Sequence, residues 1–321
     1  MTTYLVSGAT GFIGQALLQA LAASGLGVVR LTRTQAGGTD LAAGNDFRDI
    51  EGAWPTAFHP DCVIHLAARV HVMRDTAAEP LSAFRAVNVE ATLRVAQAAA
   101  RRGTRRFVYI SSIKAAGEFS GGQPLSESDT PHPADPYGVS KREAEIALLD
   151  LGRRTGMEIA ILRPPLVYGP GVGANFLSLL RAVARGWPLP LGSATAPRSL
   201  VAVDNLASAI LACAAHPAAA GEIFHICDAE EVSVAELVRS IAAALDTRAR
   251  LLPVPPSVLK VIGALTGKPD AVRRLIEPLR VDNRKIRTLL EWTPPISLIE
   301  GLKRTAAWYR SASPDTPSTH P

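Results

Sequence analysis

Seven residues, Gly8-Ala9-Thr10-Gly11-Phe12-Ile13-Gly14, separate a short apolar run, Thr3-Tyr4-Leu5-Val6-Ser7, from a stretch with helical apolar spacing through Leu17, Leu18 and Leu21. The run reads as a buried strand and the stretch as an amphipathic helix, so the glycines occupy a strand-to-helix turn. Gly8 suits the tight turn itself. Gly11 lets backbone amides come close to a pyrophosphate at the positive end of the helix, and Gly14 lets that helix lie close on the strand. An ordinary βα turn also tolerates glycine, but three of them directly after a first strand point to dinucleotide binding. The three-and-three spacing departs from the commoner G-x-G-x-x-G.

The rest of the chain repeats the alternation. Strands are expected at about 27–32, 61–66, 106–110 and 158–163, and a later one near 223–227, with helices between them; 81–102 reads as the longest helix. Strands alternating with helices build an α/β fold, a doubly wound parallel sheet of the Rossmann kind. The length of 321 residues leaves room for a smaller lobe. We expect residues 1–168 and 199–228 to form the dinucleotide-binding domain. Residues 169–198 and 229–310 form a discontinuous α/β substrate lobe, and 311–321, rich in serine, proline and threonine, a frayed tail.

Composition narrows the chemistry. Cys62, Cys213 and Cys227 are widely spaced and odd in number, which argues against a disulfide framework or a metal site and for a reducing cytoplasm. The N-terminus lacks a signal-peptide pattern, and no apolar run is long enough to span a bilayer. A net charge of +5 from scattered basic residues argues for an anionic small molecule rather than nucleic acid.

Tyr137 and Lys141, four residues apart in Asp135-Pro136-Tyr137-Gly138-Val139-Ser140-Lys141, place a phenol and an ammonium on one helix face. A free tyrosine ionises near pH ~10, and a neighbouring cation moves it toward the working range of a general acid or base. A tyrosine packed on a lysine stem is common on solvated helices, so the pair gains meaning only from its company.

That company resembles the extended short-chain dehydrogenase/reductases that act on nucleotide sugars as epimerases, dehydratases and reductases. The landmarks are the glycine loop, His65-Leu66-Ala67-Ala68, Asn88 in Val87-Asn88-Val89, Ile110-Ser111-Ser112, Tyr137 to Lys141, and Arg163-Pro164-Pro165-Leu166-Val167-Tyr168-Gly169-Pro170. They span most of the chain in the family's order. The resemblance implies catalysis by Ser112, Tyr137 and Lys141, with Ser111 the second choice of serine. It further implies cofactor contacts from Gly8, Thr10, Gly11, Phe12, Ile13 and Gly14, from Leu66, Ala67 and Ala68, and from Asn88, Tyr137, Lys141 and Pro164. Residues 113–118 and 163–176 are most similar to UDP-N-acetylhexosamine 4-keto-reductases and 4-epimerases of surface-polysaccharide clusters, and a homodimer is implied.

Cofactor choice turns on the end of the second strand. Thr32 stands where NAD-preferring relatives carry an acid, and Arg33 follows, which favours NADP(H) over NAD(H). Asp46 is a further adenine-side candidate. For the substrate diphosphate, the resemblance implies Asn175 and Arg198, with Arg280, Arg273 or Arg274 as a second cation. Dehydratases carry an acid pair directly after the active hydroxyl residue, and Ile113-Lys114 stands there instead. A 4-keto-sugar reductase is therefore expected first, a UDP-hexose 4-epimerase second, and an NADP-binding redox sensor without turnover is the reading from another class. The apolar stretch 251–268, with Lys260 and Lys268, is expected to pack as a lobe helix. The alternative is peripheral contact with an anionic bilayer at the inner face of the membrane.

Overall fold

A computed structural model describes residues 2–34, 37, 38, 40–70 and 79–312. Five strands form where apolar runs are expected: β1 (Thr3–Ser7), β2 (Gly27–Thr32), β4 (Cys62–His65), β5 (Arg106–Ile110) and β6 (Glu158–Arg163). The two-residue β3 (Leu41–Ala42) and the short β9 (Ile223–His225) complete a seven-stranded parallel sheet in the order β3-β2-β1-β4-β5-β6-β9. The order reverses between β1 and β4, where a doubly wound sheet opens its ligand crevice at the carboxyl ends of the strands.

Both faces of the sheet are covered, which is why its strands are apolar throughout rather than alternating. One face packs Val6, Ile64, Val108 and Leu162 under the helices Phe12–Ala23 and Val203–Ala215. The other packs Leu5, Val63, Phe107 and Ile161 under Thr92–Arg101 and Pro136–Thr155.

A second sheet of three short strands, β7 (Leu166–Tyr168), β8 (Pro197–Ala202) and β10 (Glu231–Ser233), runs in the order β10-β8-β7. It anchors the lobe, whose core joins Tyr168, Phe176, Leu200, Val238 and Leu302. The sequence reading assigns β7 and most of β8 to the large domain; their pairing places them in the lobe sheet. Asp228 ties the two parts together, accepting from the Tyr168 hydroxyl (2.8 Å) and the Asn205 amide (2.7 Å). The last helix, Leu298–Ala312, takes in Ser311 and Ala312, so the expected tail shrinks to 313–321, which lie outside the described residues. No helix among the described residues is long and apolar enough to cross a membrane.

Candidate active site

The glycine loop sits at the carboxyl end of β1, and each of its glycines has a steric reason. Gly8 has φ +70°, and a Cβ there would meet the Ala67 nitrogen at 2.7 Å, so the loop after β4 lies directly against it. A Cβ on Gly14 would collide with the Gly8 carbonyl and meet Ala9 at 2.7 Å. Gly11 is the N-cap of Phe12–Ala23, and a Cβ there would meet only the Gly8 carbonyl, at 3.3 Å, leaving its other side open. The helix has no side-chain cap and no acid in its first turn. Its leading amides and positive dipole end are therefore available to an anion. Thr10 is exposed beside them, Ile13 packs into the domain core, and Phe12 reaches the lobe near Gly171. This cradle fits the diphosphate of a nicotinamide dinucleotide, which when bound supplies a hydride acceptor and donor.

At the end of β2, the Thr32 hydroxyl donates to the Thr34 carbonyl (2.8 Å), and Asp40 pairs with Arg30 (2.7 Å). Arg33 is exposed and has no polar partner among the described residues. Asp46 has φ 53°, and its carbonyl accepts from Arg94 (2.9 Å). After β4, Leu66 bonds back to the Ser7 carbonyl (3.2 Å), which holds Leu66, Ala67 and Ala68 beside the loop. His65 before them is structural. Its ring bonds Ser7 (2.7 Å) and Thr92 (3.1 Å) and stacks on Tyr109, and burial, helped by Lys141, lowers its pKa to about 3.

The reactive hydroxyls meet where β5 ends. Ser111 is buried and donates to Glu145 (2.6 Å), which also takes both ends of the Arg163 guanidinium (2.8 and 2.6 Å). Its hydroxyl is thus committed to a core ion pair. Ser112 is half-buried, and its hydroxyl accepts from the Lys114 amide (3.3 Å), so of the two serines it is the one not committed to the core. Ile113 donates to the Pro164 carbonyl (2.9 Å), stitching the exits of β5 and β6 side by side. Asp135 caps Pro136–Thr155 through the Gly138 amide (2.7 Å), and a Cβ on Gly138 would meet the Lys114 carbonyl at 2.5 Å. That close approach brings Tyr137 against Ser112; the phenol ring also packs edge-on to Phe84 at 5.9 Å.

Lys141 turns its ammonium toward the end of β5. Its ammonium donates to the Ile110 carbonyl (2.8 Å) and lies over the Tyr109 ring at 4.6 Å, and no hydrogen bond joins it to Tyr137 among the described residues. Burial lowers its pKa to about 7, against an opposing pull from Glu145. Burial likewise raises Tyr137 to about 12, the Ser112 hydroxyl pulling back and Asp135 adding to the rise.

Asn88 is fully buried rather than solvent-facing. It lies in a π-helical turn, Ala86–Ala91, that interrupts the run from Pro80 to Arg101. Its amide bonds Ser140 (3.0 Å) and both backbone groups of Arg69 (2.8 and 3.1 Å), and Ser140 in turn bonds the Tyr137 carbonyl (2.8 Å). One side chain thus fixes the loop after β4 to the helix that carries Tyr137 and Lys141.

The anion-binding candidates divide. Asn175 is exposed in the first turn of Ala174–Ala184. Arg198 is partly buried, donates to the Glu277 carbonyl (2.7 Å), and has its pKa lowered by burial, with Arg274 adding to the effect. Arg274 bonds Glu118 (2.8 Å), which also faces Lys114 (3.5 Å), and Lys114 pairs with Asp135. A charged chain thus runs from the cap of the tyrosine helix to Arg198. Arg280 does not join it. It pairs with Glu231 (2.9 Å) beside a cavity of about 550 Å³ shared with Asp228 and Asp282, whose lining includes neither Tyr137 nor Ser112. Arg273 is taken by Glu277 and the Phe119 ring. Of the three candidates for a second cation, Arg274 is the one beside Arg198. The ion-pair link between Lys114 and Glu118 escaped the sequence reading; their i,i+4 spacing was the available signal.

A family model described as the NAD dependent epimerase/dehydratase family matches residues 4–227. The chain belongs to that family. It is 42% identical to a UDP-glucose 4-epimerase of Vibrio cholerae over 96% of each chain. It is 28% identical to a GDP-6-deoxy-D-mannose reductase of Pseudomonas aeruginosa, over 93% of this chain and 94% of that one. Among solved structures it is similar to RMD from Pseudomonas aeruginosa complexed with NADPH, with a TM-score of 0.79 at 25% identity, covering 98% and 100% of the two chains. The chain is thus a nicotinamide-dependent enzyme of the nucleotide-sugar epimerase and reductase group.

Proposed function

We propose that this enzyme works by oxidation and reduction at C4 of a UDP-hexose, as a 4-epimerase that binds NADP(H) or NAD(H). The observation that carries the reading is the close contact of Gly138 with the Lys114 carbonyl, which sets the first turn of the tyrosine helix beside Ser112 at the end of β5, with Lys141 buried on the same helix. Tyr137 takes the proton of the C4 hydroxyl as the alcohol becomes a ketone and returns it as the alcohol reforms. Ser112 donates to the same oxygen and steadies charge developing on it. Arg198 and Arg274, with Asn175 nearby in the lobe, grip the diphosphate, so that the hexosyl group turns over between the two half-reactions while the anion stays fixed. No acid pair follows Ser112, and Lys114 is held by Asp135, which leaves dehydration without its base. The 42% identity to a UDP-glucose 4-epimerase favours epimerisation over the ketoreductase expected from sequence.

The ketoreductase remains the second reading because of Arg33, exposed and unpaired where a 2′-phosphate would lie. Two assays separate them. Incubation with UDP-glucose or UDP-N-acetylglucosamine alone should give the C4 epimer, whereas NADPH oxidation by a UDP-4-keto-hexose without epimerisation would establish the reductase. Turnover in neither, with nucleotide binding intact, would leave the redox sensor. Titrating NADPH and NADH against Arg33→Ala decides the cofactor: a loss confined to NADPH supports a 2′-phosphate contact, and an equal loss removes it.

A further inference from the structure

The lobe helix Pro256–Leu265 forms as expected but packs by one side only. Leu259 and Gly263 are buried, and Val272 of the next helix, Pro269–Ile276, sits directly on Gly263. Val258, Val261, Ile262 and Leu265 stand at i, i+3, i+4 and i+7, one continuous helical face. All four are exposed, Leu265 at 82%. Two more large apolar side chains, Leu252 and Trp187, are also about half-exposed. The segments that carry them adjoin the helix: Leu189 donates to Arg250 (2.8 Å) and Leu252 to Leu189 (2.8 Å), joining the Trp187 turn to the segment that leads into it. Six of the eleven large hydrophobic side chains exposed among the described residues thus lie on the helix and the segments that adjoin it.

The helix and the segment leading into it carry only cations, with Asp246 and Asp270 at their borders. From 247 to 269 there are four cations, Arg248, Arg250, Lys260 and Lys268, and no acid; from 169 to 203 there are three arginines and again no acid. Arg185, Arg248, Arg250, Lys260 and Lys268 are all exposed and have no ion-pair partner among the described residues. Arg185 lies over the Trp187 ring at 5.6 Å. Apolar side chains, an exposed tryptophan and unpaired cations on long stems are the combination that lies at a lipid interface, with the rings and aliphatic chains at headgroup depth and the cations among anionic headgroups. A second copy of the chain is a poor occupant, because a two-fold contact would set this cationic surface against itself.

We propose that this face of the lobe is a peripheral docking surface for an anionic bilayer. The helix next to it carries Arg274, so docking sets the proposed diphosphate grip one helix away from the lipid surface. The proposal stands on the face alone and does not depend on which C4 reaction the enzyme performs.

Flotation of the full chain with vesicles tests it, using phosphatidylcholine alone and phosphatidylcholine with roughly a third phosphatidylglycerol. The protein should float with the anionic vesicles at low salt and far less in about 1 M salt, where screening falls to about 3 Å. The double substitution Val261→Glu and Leu265→Glu, both on exposed positions, should reduce anionic-vesicle binding at least about tenfold. It should leave thermal unfolding and turnover of soluble substrate unchanged. Absence of binding to anionic vesicles at low salt overturns the proposal, as does binding that the double variant leaves intact. Self-association in sedimentation velocity that the double variant abolishes would identify a second copy as the occupant and overturn it too.

Discussion

At the residue scale, the site depends on where each polar group finds its partner. Ser111 and Ser112 are adjacent, yet Ser111 is buried and locked onto Glu145 while Ser112 is half-buried and outside that pair. The family resemblance ranks Ser112 first, but the physical reason Ser111 is occupied lies in Glu145, on a helix far along the chain. The same holds for Arg280, which reads as a free cation until Glu231 is seen beside it. Tyr137→Phe removes only the phenolic hydroxyl from a ring that still packs on Phe84. It should lower kcat by about 10²–10⁴ with unchanged unfolding and nucleotide affinity, measured by steady-state kinetics and titration; kcat within a factor of about two of wild type would remove Tyr137 from the acid-base role. Lys141 gives a pH prediction. Its folded pKa, about 7, lies below its ordinary value of 10.5, so the unfolded chain binds the extra proton between those limits. Stability attributable to Lys141 should therefore rise from about pH 7 toward 10 and flatten beyond. The difference in melting temperature between wild type and Lys141→Met should change in that sense, and a difference that is flat with pH would show that the lysine is not desolvated.

At the scale of elements, β1, β5 and β6 could be read residue for residue because buried parallel strands are continuous apolar runs bounded by turn residues. The lobe sheet could not. β7 and β10 have three residues each, too few for any periodicity to register, and their pairing with β8 is set by the rest of the lobe. The π-helical turn around Asn88 was equally hidden, since the amide's three partners lie in a loop and a helix distant in sequence. Gly138 was quoted as part of a motif, but its reason is the Lys114 carbonyl pressed against it. Gly138→Ala forces the tyrosine helix away from that carbonyl and should destabilise the protein by about 1–3 kcal/mol, the usual range for overpacking. Because the shift separates Tyr137 from Ser112, kcat should fall more than stability alone explains. Denaturant unfolding and kinetics on the same variant check both; unchanged stability would mean the contact relaxes freely.

At the scale of the whole molecule, the doubly wound sheet was legible in the order of the glycine loop, strands and tyrosine helix, and the seven-stranded parallel sheet agrees. The direction of the chemistry was less legible, because reductase and epimerase share every catalytic group and differ in what happens to the ketone. The central claim is that C4 is oxidised and then reduced by the same hydride, with Tyr137 handling only the oxygen-bound proton. Proton NMR of UDP-glucose incubated with the enzyme in D2O tests this most directly. The account predicts conversion to the C4 epimer with hydrogen retained on C4. Deuterium at C4 of the product, or no epimer at all, would contradict it.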